Sequence, residues 1–69
     1  MTDELSLYDV VRLSVDLPED GLQAGAIGTV VEIFDTPQRA YEVEFADDSG
    51  TTIAQLALEP GQLEPVTGR

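Results

Sequence analysis

The clearest pattern in the chain is Tyr41-Glu42-Val43-Glu44-Phe45, where apolar and acidic residues alternate. A period of two puts the three apolar side chains on one face of a strand and both glutamates on the other. This predicts a strand over residues 40–46 with one core face and one acidic face. The preceding run, residues 29–34, is also strand-like, but Val30, Val31, Ile33 and Phe34 do not alternate. A bulge lets Val30 and Ile33 both face inward, and the strong coiling of a small barrel favours one. Residues 8–15 are β-branched and partly alternating, with Val11, Leu13 and Val15 on one face, and predict the first strand. Residues 51–58 predict a fourth, with Ala54, Leu56 and Leu58 on one face. A short fifth strand is expected over residues 63–66, where Pro65 suggests an edge position.

Turn residues separate these runs. Pro18 presets a turn that Gly21 closes in the left-handed conformation. Gly25 and Gly28 imply either close backbone approach or positive φ ahead of the second strand. Residues 35–39 form a hairpin loop and residues 47–50 a tight turn. Glu59-Pro60-Gly61-Gln62 reads as a single helical turn or a β-turn. The order predicts an all-β domain: a small five-stranded SH3-like barrel, with a long loop after strand one and a single helical turn before the last strand. An oligonucleotide-binding barrel needs a helix between strands three and four, and residues 47–50 are too few to hold one. The barrel is expected over residues 8–66, with a flexible arm over 1–7 and a tail over 67–69. Strands one and five are the expected open edges. Tyr41 and Phe45 belong to the core, and Tyr8 and Phe34 reach the surface.

Charge changes the picture more than composition does. The 69 residues carry 14 carboxylates against three arginines and no lysine, a net charge of −11. Such a surface repels phosphate backbones and anionic lipid heads, which disfavours direct binding to nucleic acid or membrane. The absence of cysteine fits a reducing cytoplasm. The acidic start is not a secretory leader, and the apolar run over residues 24–31 is too short to span a bilayer. The chain is expected to be cytoplasmic.

Candidate chemistry is sparse. Glu42 and Glu44 share a face, with Glu32 beside them across the hairpin, and paired carboxylates serve acid–base enzymes. With no His, Cys or Lys to act as base or nucleophile, a solvated strand face explains them better. Asp47-Asp48-Ser49-Gly50 lacks the alternating ligands and closing Glu of a calcium loop and reads as an Asx-type turn. Gly25 and Gly28 precede a strand rather than a helix, unlike a phosphate loop. No catalytic, cofactor or metal site is expected.

Asp9-Val10-Val11-Arg12-Leu13, Asp16-Leu17-Pro18-Glu19 with Gly21-Leu22, and Gly25 with Gly28-Thr29-Val30-Val31-Glu32 form a recognisable set. With Tyr41-Glu42-Val43-Glu44-Phe45 and the closing Leu58-x-Pro60-x-Gln62-Leu63, they resemble a small bacterial family catalogued as domain of unknown function 4926. The resemblance runs from about Tyr8 to Val66, implies the fold and brings no catalytic residue with it. The spacing Gly25-x-x-Gly28-x-Val30 is also similar to the KOW motif of ribosomal and transcription-factor barrels, which are typically basic where this chain is acidic.

The function expected from these features is a non-enzymatic protein–protein interaction module, in one version an antitoxin- or immunity-like inhibitor that masks a basic partner. The expected partner surface comprises Asp16, Glu19, Asp20, Asp35, Glu42, Glu44, Asp47 and Asp48. The alternatives are a KOW-like nucleic-acid-associated barrel and a structural subunit docked on a larger enzyme.

Overall fold

The computed structural model describes residues 5–66. The tail expected over 67–69 and the first four residues of the expected arm lie outside the described residues. Five strands form one antiparallel sheet: β1 (Val10–Leu13), β2 (Ile27–Phe34), β3 (Ala40–Ala46), β4 (Thr52–Leu58) and β5 (Leu63–Pro65). Two 3-10 turns, Pro18–Asp20 and Pro60–Gln62, interrupt the loops. The spatial order is β4-β3-β2-β1-β5. The protein is all-β as expected, with the single turn before the last strand.

Three details differ from the sequence expectation. The sheet is open, because β5 pairs with β1 and no ladder joins it to β4. The edge strands are therefore β4 and β5, and β1 is flanked by β2 and β5. Strand order is set by long-range pairing, which local pattern does not encode. The first strand is also shorter than residues 8–15. Tyr8 has φ +71°, incompatible with a continuing strand, and Val15 lies beyond the last ladder pair of β1, Leu13 with Leu63.

The core lies on one face of the sheet. Val11, Leu13, Val30, Tyr41, Val43 and Phe45 are fully buried, joined by Leu5, Leu22, Leu58 and Leu63. The alternation in β3 holds throughout. The bulge in β2 falls at Val31: Val30 faces Val43, Glu32 faces Glu42, and Val31 has no counterpart. That extra residue lets both Val30 and Ile33 point to the core side.

The two glycines before and within β2 serve different needs. Gly25 has φ +99°, a backbone state that only glycine adopts without strain. Gly28 is extended but faces inward, and a Cβ there would lie 2.6 Å from Val43 Cγ1 and 3.0 Å from Phe45 Cδ1. The backbone of β2 thus rests directly on the β3 side chains.

Tyr41 is a buried phenol whose hydroxyl is satisfied. It accepts hydrogen bonds from the Leu5 N–H at 3.3 Å and from Arg39 Nε at 3.2 Å. The segment expected as an arm therefore reaches the core at Leu5.

Candidate functional site

The sheet register sorts the expected partner surface into separate groups. The long loop after β1 and the β3–β4 turn lie at the same end of the sheet, because Val11 pairs with Gly28 and Gly28 with Phe45. Asp16, Glu19, Asp20, Asp47 and Asp48 belong to that end. Asp35 sits in the β2–β3 loop at the other end. Glu42 and Glu44 lie between, on the outer face of β3.

At the loop end, two of the five carboxylates are tied to their own backbone. Asp16 Oδ1 accepts the Ala24 N–H at 2.9 Å, which pulls the long loop together. Asp47 Oδ1 accepts the Ser49 N–H at 2.9 Å, the Ser49 hydroxyl at 2.7 Å and the Thr51 N–H at 3.0 Å. This is the expected Asx-type turn. The Ser49 hydroxyl first, then the Thr51 N–H, hold the Asp47 carboxyl below its ordinary pKa. Glu19, Asp20 and Asp48 are exposed and make no side-chain hydrogen bond or ion pair among the described residues. A shallow hollow separates the long loop from Ile53 at the start of β4.

At the opposite end, Asp35 pairs with the Arg39 guanidinium. The bond to the Tyr41 hydroxyl first, and then Asp35, raise the Arg39 pKa. The guanidinium carbon also stands 5.7 Å from the Tyr41 ring centre. Asp35 is thus a partner of the residue that caps the buried tyrosine, apart from the rest of the expected surface.

The outer face of β2 and β3 gathers a third group. Glu42 lies directly opposite Glu32, and Glu44 opposite Thr29. Gln55 Nε2 donates to Glu42 at 3.2 Å, and the Thr52 hydroxyl donates to Glu44. Val31, Phe34 and Gln55 border the three glutamates around a shallow depression. Phe34 is 39% exposed, and Tyr8, elsewhere on the surface, 71%. Both aromatics reach the surface as the sequence suggests. Glu32 is the residue to add to the expected surface, and its signal is the bulge, which restores its facing position opposite Glu42.

Of the arginines, Arg12 lies 3.9 Å from Glu64 across the β1–β5 pair, and Arg39 is engaged with Asp35 and Tyr41. Among the described residues, no group of three or more His, Cys, Asp or Glu is arranged to hold a metal ion.

The family model described as domain of unknown function (DUF4926) matches residues 7–65. The chain belongs to the DUF4926 family. The match takes in all five strands and both glycines discussed above. No curated protein and no solved structure matches the chain. Among the described residues of this DUF4926 member, no helix is long and apolar enough to cross a membrane.

Proposed function

We propose that this DUF4926 protein is a non-enzymatic interaction module that binds a basic protein partner. The observation that carries the reading is the outer face of β2 and β3. There Glu32, Glu42 and Glu44 stand together beside Val31 and Phe34, and their hydrogen-bond partners are the neutral Gln55 and Thr52. Glu32 and Glu42 are directly opposed like charges, an arrangement that costs stability. A basic surface with an apolar element would relieve that repulsion and cover Phe34 in one step. An antitoxin- or immunity-like inhibitor, masking a basic enzyme in the cytoplasm, is the specific form of this reading.

The nucleic-acid alternative has less to draw on, because Arg12 and Arg39 are both engaged with carboxylates. The SH3-like description of the barrel is supported by the strand order β4-β3-β2-β1-β5 and by the 3-10 turn leading into β5.

The test is affinity capture from native-host lysate, run with the natural chain and with Glu32→Gln/Glu42→Gln/Glu44→Gln at low and high salt. The reading expects one stoichiometric basic protein, held by the natural chain, released by salt and absent with the triple variant. A partner that ignores both salt and the substitutions sinks the proposal.

A further inference from the structure

β4 is the one strand of the five with no charged residue: Thr52-Ile53-Ala54-Gln55-Leu56-Ala57-Leu58. It is also an edge strand, laddered to β3 on one side and to no described strand on the other. The opposite edge is guarded, since β5 has three residues and two of them are Glu64 and Pro65. Exposed edges are commonly blunted by charge, proline, shortness or a bulge. In β4 the only such device is a register shift opposite Phe45 and Ala46, at Ile53. The long loop approaches the same residue. The stretch 54–58 remains regular and uncharged, with Gln55 and Ala57 exposed, Ala54 and Leu56 half-buried and Leu58 buried. In a chain of net charge −11, it is the strand where two copies meet with least repulsion.

We propose that β4 pairs antiparallel with β4 of a second copy about a two-fold axis at Leu56, joining both sheets into one. A two-fold axis perpendicular to the sheet keeps core-side residues beside core-side residues, so paired residue numbers sum to an even value. An axis at Leu56 uses the regular stretch in full. Leu56 meets its own counterpart, Ala54 meets Leu58 of the second copy, and Gln55 meets Ala57 of the second copy. Small residues face larger ones, and the half-buried Leu56 becomes covered. Glu42 and Glu44 stand one strand away, and Glu59, which follows Leu58, falls opposite Ile53 of the second copy. Their repulsion across the dimer is screened by salt, so the dimer tightens as salt rises. That is the opposite of the salt effect expected for a basic partner.

The chain has no cysteine, so single introduced cysteines report this contact without background. Sedimentation equilibrium of the full chain, up to about 1 mM, is expected to show a monomer–dimer equilibrium that salt shifts toward dimer. Oxidising a mixture of Gln55→Cys and Ala57→Cys chains is expected to give the mixed disulfide, since facing Cα atoms in a sheet fall within the ~4.4–6.8 Å a disulfide spans. Each variant alone is expected to link roughly tenfold less, because its like positions are two residues out of register. Both positions are exposed, and a thermal melt checks that the fold is kept. A protein monomeric at every concentration and salt overturns the proposal. So does a dimer in which the mixture fails to link, or in which either variant links to itself as readily as the mixture.

Discussion

The two faces of β3 occupy the same seven residues and do opposite things. Tyr41, Val43 and Phe45 are buried and hold the sheet to its core, whereas Glu42 and Glu44 face outward beside a third carboxylate. The inner face is explained by folding. The outer face is not, because the direct opposition of Glu32 and Glu42 works against stability. The difference shows where to look for function in this domain: at the region of the surface whose composition folding does not require.

The comparison can be broken most forcefully from inside. Phe45→Ala is expected to cost about 3–5 kcal/mol, enough to unfold much of a domain this small, and denaturant melts measure it. Gly28→Ala, also directed inward, is expected to cost about 1–3 kcal/mol, because the new methyl group collides with Val43 and Phe45. A Gly28→Ala protein as stable as the natural one would mean that β2 does not rest on β3 so closely.

The outer face should respond with the other sign. Glu42→Gln is expected to raise stability by about 0.2–1 kcal/mol at low salt, by removing the opposition to Glu32. The gain should shrink at high salt and should be accompanied by weaker partner binding. A loss of stability would place Glu42 among the residues that hold the fold.

The smallest effect is expected at the β3–β4 turn. The folded state lowers the Asp47 pKa, so the carboxylate contributes stability above its unfolded pKa. That contribution is lost as pH falls through the lowered folded value. Asp47→Asn should therefore differ from the natural chain near neutrality, and the two should converge in acid, as pH-resolved thermal melts would show.

The fold is legible where the pattern is local. The alternation in β3 marks its bounds, and four large residues in β2 are reconciled with one core face only by the bulge at Val31. Pro65 marks an edge strand, and Gly21 takes its left-handed turn conformation. Strand order is not legible, because the pairing of β1 with β5 joins residues far apart in the chain, and so nothing local identifies β4 as an edge. The candidate surface divides in the same way. Its carboxylates can be counted from composition, but Asp16 finds Ala24 and Asp35 finds Arg39 only through the path of each loop. No local pattern separates a carboxylate that closes a turn from one left facing solvent.

Leu5, Leu63 and Pro65 line one hollow, and the N-terminal end of β1 lies beside the C-terminal end of β5. A pull applied from both sides of the domain would therefore load the β1–β5 ladder at one end. Its three registered pairs, Val11 with Pro65, Arg12 with Glu64 and Leu13 with Leu63, would unzip in succession rather than shear together. Such a domain gives little mechanical resistance, and a translocating unfoldase or a stretched tether would open it first at β5.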